Sequence, residues 1–352
     1  MTHPLRYAAQ DLLWFATGLF TAAGGLAPDR AQAVAEVLVE GDLYGQTTHG
    51  LALAAPYLDA LASGDMAREG EPALLNRTAL AETWDGKKLP GPWLVRRAAE
   101  AASSAAREHG LGAVVIGRSH HIGCLSAYLE PVTARGQMIV MASSDPATAS
   151  VAPAGGTRRL ITPNPLAAGW PTPAGAALLD ISMSYTTNAM TARRRAEGRD
   201  FGHPWLLDAE GRPTRDPNAF FTDPPGTLAP LGAPSAGHKG FALGLLVETL
   251  TSALAGHGRA ETPTGWGANV FVLVLDPARF GGAGAFLRET GWMEAAIEAN
   301  PPAAGGAPHL PGAGARARKA EACARGVALH PSIMPALAAR ADAAGIEVPK
   351  PL

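Results

Sequence analysis

The 352-residue chain has little of what defines several common protein classes. Two cysteines, Cys124 and Cys323, are too few for a disulfide framework and suit a reducing compartment. Only 6% of the residues are aromatic, so the core must be built mainly from Ala, Leu and Val. Charged residues make up 17%, and 29 basic side chains nearly balance 31 acidic ones. Such a balance gives no electrostatic reason to expect nucleic acid or an anionic membrane as a partner.

Long apolar runs are also missing. The best candidate, residues 12–26, is shorter than the ~20 residues that a membrane helix needs. It matches a secretory signal only weakly, and its apolar residues repeat at helical spacing, which favours a buried amphipathic helix. We therefore predict a cytoplasmic protein without a membrane partner.

What the chain does contain is 47% hydrophobic residues together with 41 Gly and 30 Pro, a composition typical of a folded, loop-rich protein. Helices come first, and strands then alternate with helices, which indicates the α/β class. The periodicity predicts helices from Leu12 to Gly24-Gly25, from Pro28 toward Gly41, between Gly50 and Gly64, and over 93–108, 122–134, 241–255, 317–325 and 331–344. Strands are predicted over 113–116, 138–141, 176–181 and 270–275, and a surface loop over 301–315.

The usual nucleotide-binding signatures are absent. No Gly-x-Gly-x-x-Gly follows a strand and opens a helix, and no Walker-type lysine motif occurs. A conventional Rossmann domain is therefore not expected.

Two histidine-containing segments combine polar side chains with glycine. In Thr47-Thr48-His49-Gly50, His49 is a candidate proton donor oriented by Thr48, although the threonines alternatively cap a helix. The segment 118–123 follows a predicted strand and opens a predicted helix, where free amides favour a phosphate or carboxylate. Its alternative is a polar turn that caps the helix, and the two adjacent histidines lack the further ligands of a metal site.

Two further segments have the same character. Thr162-Pro163-Asn164-Pro165 is either a rigid turn or a turn that exposes polar groups to a ligand. In Gly237-His238-Lys239-Gly240, a lysine at a helix N-terminus favours a bound anion over a solvated side chain. The run Arg193-Arg194-Arg195 is typical of a solvated helix face.

In this order, the segments resemble the type-2 malate/L-lactate dehydrogenase family, which includes sulfolactate, ureidoglycolate and diketogulonate oxidoreductases and Δ1-piperideine-2-carboxylate reductases. The resemblance rests on Thr48-His49-Gly50, Ser119-His120-His121-Ile122-Gly123, Val151-Ala152-Pro153-Ala154-Gly155-Gly156, Thr162-Pro163-Asn164-Pro165, Asp180-Ile181-Ser182-Met183-Ser184 and Gly237-His238-Lys239-Gly240, within about residues 10–340. Each motif is weak alone, but the ordered set is specific.

The resemblance implies a non-Rossmann α/β fold like that of the sulfolactate and malate dehydrogenases, a homodimer, and NAD(P) as cofactor. His49 is then the catalytic proton donor and Thr48 its relay partner. The implied cofactor-binding residues are His121, Ile122, Gly123, Cys124, Leu125, Asp180, Ile181, Ser182, His238, Lys239 and Gly312. Thr162 is placed beside the substrate, and the three arginines make NADP the slightly preferred cofactor.

The chain departs from the family on the substrate side. Relatives carry a carboxylate-binding arginine four residues after the motif histidine, where this chain has Leu53, and a lysine near Asn188 is also missing. Losing a bidentate arginine weakens carboxylate binding. We therefore predict an atypical small substrate, such as a cyclic imine or ketone, near Leu53, Thr162 and Asn188. Arg118 or one residue of 193–195 is expected to supply the missing charge.

These expectations describe an NAD(P)-dependent dehydrogenase or reductase acting on the C=O or C=N carbon of a 2-oxo acid, ketone or cyclic imine, with no metal, nucleic acid or membrane partner. The alternatives are a family member that binds a nucleotide without turnover, and a histidine-dependent metal hydrolase. We predict three parts: a helical segment over 1–75, an α/β cofactor- and substrate-binding domain with a mixed sheet over 76–300, and C-terminal helices over 301–352 that pack back on the first part.

Overall fold

A computed structural model describes residues 5–352 of the chain. Its α-helices are α1 (Ala9–Ala22), α2 (Pro28–Leu43), α3 (Ala54–Ser63), α4 (Gly91–His109), α5 (Leu129–Thr133), α6 (Asn188–Ala196), α7 (Gly237–Glu248), α8 (Ala283–Glu298), α9 (Ala313–Arg325) and α10 (Ile333–Ala344). Its strands are β1 (Arg6–Tyr7), β2 (Ala73–Arg77), β3 (Ala81–Asp85), β4 (Leu111–Ser119), β5 (Met138–Ser144), β6 (Leu166–Thr172), β7 (Gly175–Ile181), β8 (Leu206–Leu207), β9 (Pro213–Thr214), β10 (Thr227–Leu228), β11 (Ala268–Leu275) and β12 (Val327–Ala328).

A seven-stranded mixed sheet organises the middle of the chain. The strand order is β2-β3-β4-β11-β5-β6-β7, in which β3 and β4 pair parallel and every other pair is antiparallel. The central strand β11 is apolar along nearly its whole length, as expected for a strand covered on both faces. Helix α4 connects the parallel pair and packs on β4 and β11. The mixed sheet and its helices confirm the predicted α/β class.

A separate core joins the two ends of the chain. Residues of α1, α2, α3 and α10 form one buried cluster that includes Leu12, Leu38, Tyr57 and Leu337. Strand β1 pairs with β12 beside it, so the C-terminal residues close over the first helices. The predicted division of the chain into three parts stays a prediction.

Most of the predicted elements are confirmed with small shifts of their ends. The helix predicted over 122–134 is wrong in its first half, because residues 120–124 form a loop before a 3-10 turn (Leu125–Tyr128) and the short α5. The helix predicted over 241–255 begins earlier, at Gly237, and continues past α7 as a π-helical turn (Thr249–Ala253). Among the helices of residues 5–352, none is both long and apolar enough to span a bilayer.

Candidate active site

A cleft of about 510 Å³ brings most of the predicted site residues together. Its walls come from the loop between α2 and α3, the loop after β4, the ends of β5 and β7, and the start of α6. Predicted residues in its lining are Thr48, His49, Leu53, His121, Ile122, Gly123, Cys124, Leu125, Thr162, Asp180, Ser182 and Asn188. Segments more than 100 residues apart in sequence therefore share one site.

His49 enters the cleft from the loop between α2 and α3. Thr48 Oγ1 lies 2.9 Å from His49 Nδ1, which leaves Nε2 as the nitrogen that can exchange a proton with a ligand. Desolvation in the cleft and, secondarily, the positive charge of Arg193 lower the pKa of His49 to about 4. At neutral pH His49 is therefore an uncharged imidazole.

The loop that carries His49 is held from behind by the buried carboxyl of Asp42 on α2. Asp42 Oδ2 accepts a hydrogen bond of 2.7 Å from the Leu51 N–H, and the carboxyl lies so close to Gly50 that a Cβ there would collide with it. Burial raises the pKa of Asp42 to about 7. Glycine after the histidine is thus a packing requirement, because only a hydrogen fits between the loop and α2.

His121 lies on the loop after β4, in a column of aromatic rings. Its Nδ1 is 2.7 Å from the Tyr57 hydroxyl, its ring stacks on Trp266 at a centroid distance of 4.6 Å, and the His49 ring follows at 6.0 Å. Desolvation lowers the pKa of His121, so this ring is also neutral at pH 7. The column gives the cleft a flat, apolar wall with two imidazoles in it.

Asp180 at the end of β7 closes another side of the cleft. Its Oδ2 accepts hydrogen bonds from the Ser126 N–H at 2.9 Å and the Ser126 hydroxyl at 2.5 Å. Burial raises the pKa of Asp180, and burial also raises the pKa of the Cys124 thiol beside it. The aspartate thereby ties the loop after β4 to the strand across the cleft.

The Thr162–Pro165 turn contributes a buried polar chain. Thr162 Oγ1 donates to Asn164 Oδ1 at 2.5 Å, and Asn164 Nδ2 donates to the Gly244 carbonyl at 2.9 Å and to Glu248 Oε1 at 3.1 Å. Asn164 thus fixes the turn to α7. The Thr162 side chain lines the cleft, and its hydroxyl already donates its hydrogen to Asn164.

The cleft contains no cationic side chain that is charged at pH 7. Among the described residues that line it there is no Lys or Arg, and its ionisable groups are His49, His121, Cys124, Asp145 and Asp180. Burial also raises the pKa of Asp145. A ligand carboxylate placed here would find hydroxyl and amide donors but no positive partner.

Comparison with known proteins decides the family. The family model for malate/L-lactate dehydrogenase matches residues 7–338, nearly the whole chain. The chain belongs to the malate/L-lactate dehydrogenase family. It is accordingly an oxidoreductase, in a family that uses NAD(P).

Relatives within the malate/L-lactate dehydrogenase family act on different substrates. The chain is 33% identical to an L-lactate dehydrogenase of Cupriavidus necator, with 78% of this chain and 77% of the relative covered. It is 30% identical to a Δ1-pyrroline-2-carboxylate reductase of Ancylobacter novellus, with 80% and 82% covered. The solved malate dehydrogenase of Entamoeba histolytica has the same fold, with a TM-score of 0.92, 21% identity and 99% and 100% coverage. The predicted non-Rossmann fold is thereby confirmed.

Five residues proposed from the family resemblance lie outside the cleft lining: Arg118, Ile181, His238, Lys239 and Gly312. Arg118 Nε donates to Asp85 Oδ1 at 2.9 Å and its Nη2 contacts Asp85 Oδ2, so its charge is already paired. The expectation that Arg118 replaces the missing substrate cation is not supported by this geometry. Ile181 is partly exposed, and the His238 and Lys239 side chains are exposed in the first turn of α7.

Sequence reasoning missed Tyr57, Trp266 and Asp145. Tyr57 lies at helical spacing among apolar residues, where an aromatic side chain ordinarily indicates core packing. Trp266 stands between two glycines in Gly265-Trp266-Gly267. Asp145 follows β5 directly and ends a polar run that begins at Ser143 within that strand. A tryptophan in a glycine-rich loop and a polar strand end were the available signals.

Proposed function

We propose that the protein is an NAD(P)-dependent oxidoreductase that transfers hydride between the nicotinamide and a C=O or C=N carbon of a small substrate, with His49 exchanging the proton. The observation that supports this proposal is the Thr48–His49 pair. Thr48 contacts Nδ1 of the imidazole, and Nε2 stays free in a mostly apolar cleft. The cofactor supplies or accepts the hydride. The protein's own task is then to orient the substrate, exclude water and manage one proton.

Residues 121–125, Asp180 and Ser182 are the proposed nicotinamide-side contacts. The backbone N–H groups of Ile122 and Cys124 make no hydrogen bond within residues 5–352. Unpartnered backbone donors in the cleft fit the carbonyl oxygen of a carboxamide. The residues present therefore suit a nicotinamide.

The remote half of the cofactor is assigned to His238, Lys239 and Gly312, with NADP as the slightly preferred form. The exposed Lys239 at a helix N-terminus supports phosphate binding there. Fluorescence titration with NADPH and NADH tests this assignment, because Lys239→Ala should weaken NADPH binding more than NADH binding. Equal loss for both cofactors would exclude Lys239 from recognition of the 2′-phosphate, the group that only NADPH carries.

His49 is the proposed proton donor to the developing alkoxide or amine in reduction and the proton acceptor in oxidation. Thr48 fixes the ring through Nδ1, so proton exchange takes place at Nε2. Because a neutral imidazole is the resting form, the free protein is ready to accept a proton, whereas reduction requires prior protonation of His49.

The proposed substrate is small and lacks the carboxylate that an arginine would bind, for example a cyclic imine or ketone. Leu53 lines the cleft where the family resemblance placed the arginine, and no cation in the described lining replaces it. Thr162 and Asn188 are the proposed polar contacts, Asn188 because its amide makes no hydrogen bond within residues 5–352.

The direct test is oxidation of NADPH and NADH with a panel of 2-oxo acids, simple ketones and cyclic imines. Wild type should turn over carboxylate-free compounds better than 2-oxo acids, and His49→Ala should lower kcat by about 10²–10⁴-fold. The exposed His309 provides a control, since His309→Ala should leave the rates unchanged. Equal rates for wild type and His49→Ala would remove His49 from the mechanism. NADPH binding without turnover on the whole panel would favour the alternative of a nucleotide-binding, non-redox protein.

A further inference from the structure

Arg193 on α6 contacts the loop that carries His49. Its Nη1 donates to Thr47 Oγ1 at 2.7 Å and its Nη2 donates to the Thr47 carbonyl at 2.8 Å. Asn188 and Ala189, the first residues of α6, line the same cleft as Thr48 and His49. One guanidinium therefore joins two segments of the cleft lining, through residues 146 positions apart in sequence.

This contact differs from the ion pairs of the surrounding surface. Both acceptors of Arg193 are neutral oxygens, and desolvation lowers the pKa of its guanidinium. The neighbouring arginines do not reach the loop: Arg194 lies over the Phe201 ring and Arg195 over the Phe221 ring. A planar fork on two oxygens of one residue fixes both position and orientation, which a flexible lysine cannot reproduce.

We propose that Arg193 is a positioning residue that anchors the loop 46–50 to α6 and thereby holds both the His49 ring and a positive charge in place beside the cleft. The proposal rests on the proposed role of His49 as the proton-exchanging group. Arg193 makes no contact with the cleft interior, so it acts on the reaction only through the loop and through its electric field.

Among the charged groups near His49, Arg193 differs in opposing protonation of the imidazole. The ionisable groups of the cleft and its surroundings are Asp42 on α2, His121 and Cys124 on the loop after β4, Arg193 on α6, and Asp145 and Asp180. Burial raises the pKa of the Cys124 thiol, so this group is uncharged at pH 7. His121 is neutral at pH 7, and a charged carboxylate would favour the protonated imidazole rather than oppose it. Burial of the ring is the larger cause of the lowered His49 pKa, and the positive charge of Arg193 is the charge that adds to it.

The experiment compares Arg193→Gln with Arg193→Lys. The glutamine removes the positive charge, whereas the lysine keeps the charge and lacks the planar guanidinium that binds two oxygens. Proteins labelled with ¹³C-histidine are titrated by NMR from about pH 3 to pH 8, so that the range extends to both sides of the His49 pKa. The His49 signal is assigned by its loss in His49→Ala. Hydrogen–deuterium exchange of the peptide 46–51 reports on the loop. Arg195→Gln is the matched control, because it removes the same charge from the same helix without touching the loop. Circular dichroism verifies folding of each variant at each pH.

Arg193→Gln should raise the pKa of His49 by about 0.5 or more and accelerate exchange of the loop amides several-fold. Arg193→Lys should keep the His49 pKa near that of wild type while still accelerating exchange, and Arg195→Gln should change neither. Unchanged His49 titration in Arg193→Gln would overturn the electrostatic part, and unchanged exchange would overturn the anchoring. Both readouts work without a substrate, so an absence of turnover would count against the proposed function and not against this inference.

Discussion

In the proposed mechanism, the protonation state of the His49 imidazole decides which direction of the reaction the free protein is ready to catalyse. His49 has a pKa lowered to about 4 because it is desolvated in the cleft and faces the charge of Arg193. A donor must carry its proton before it can give it away, whereas an acceptor must be free of it. With His49 in its proposed role, the two directions of the reaction should therefore differ in their pH dependence.

The first prediction concerns this pH dependence. Between pH 5 and 8, kcat/KM for the reductive direction should fall by about tenfold per pH unit, because the protonated fraction of His49 decreases above its pKa. In the oxidative direction kcat/KM should stay nearly constant over the same range. Initial rates measured at constant ionic strength check both profiles. A reductive profile that is flat up to pH 8 would show that His49 is not the essential acid of the free protein.

Leu53 provides the second prediction. An arginine in its place should add a charge-assisted contact for a carboxylate, so Leu53→Arg should lower KM for a 2-oxo acid by roughly 10- to 100-fold, the equivalent of ~1.5–3 kcal/mol. The KM of a carboxylate-free ketone should not fall. Leu53→Met preserves the volume without the charge and serves as the control. If Leu53→Arg folds but binds 2-oxo acids no better than Leu53→Met does, the carboxylate position lies elsewhere.

The sequence identified candidate site residues where a polar side chain stands out from its neighbours along the chain. The polar cluster around Thr48 and His49 identified a candidate proton donor. Tyr57 and Trp266 were not found, because their partner His121 is 64 residues from one and 145 from the other, and each aromatic looks locally like a core residue. The missed contacts are those that exist only after distant segments pack together.

At the scale of elements, the helix predicted over 122–134 shows why local periodicity failed. Its apolar spacing is helical, but side-chain contacts hold the first residues in a loop. The Tyr128 hydroxyl donates to the Ile122 carbonyl, and the Ser126 N–H donates to Asp180 Oδ2. Gly123 adopts a φ of +70°, which glycine tolerates and a helix does not contain. The loop leaves backbone N–H groups free to bind a ligand, whereas a regular helix would use most of them.

The third prediction tests how helix α4 supports this loop. Gly91, the first residue of α4, packs so tightly that a Cβ would overlap with the carbonyl oxygens of His120 and His121. Although alanine favours helices, Gly91→Ala should displace the loop, cost about 1–3 kcal/mol of stability and weaken NADPH binding. Denaturant unfolding and fluorescence titration measure both.

A matched glycine distinguishes packing from helix propensity. Gly284 in the first turn of α8 has open space at its Cβ position, so Gly284→Ala should leave NADPH binding unchanged and stabilise the protein by up to about 1 kcal/mol. If Gly91→Ala behaves like Gly284→Ala, the close approach of α4 to the histidine loop has no energetic importance.

At the scale of the molecule, the fold class was predictable and the strand order was not. Alternating helices and strands indicated α/β, but β11 lies between β4 and β5, although 123 residues separate the end of β5 from its start. Pairing over such distances is decided by which apolar surfaces fit together, and periodicity along the chain carries no such information. The walls of the site come from the loops that the strand order brings together. The arrangement of the site was therefore no more predictable from the sequence than the strand order was.

The last prediction concerns assembly, for which we propose a homodimer. The helical segment 237–254 exposes four leucines, Leu243, Leu245, Leu246 and Leu254, and Leu246 is 49% exposed. Exposed apolar patches of this kind are usually covered by a partner. Light scattering should give wild type a mass of twice the 36.1 kDa chain, and Leu246→Asp should shift it toward the monomer because a buried, unpaired charge opposes association. Leu75→Asp, at a similarly exposed leucine on β2, should remain a dimer. A monomeric wild type at micromolar concentration would refute the homodimer, and a dimer that survives Leu246→Asp would place the interface on another face.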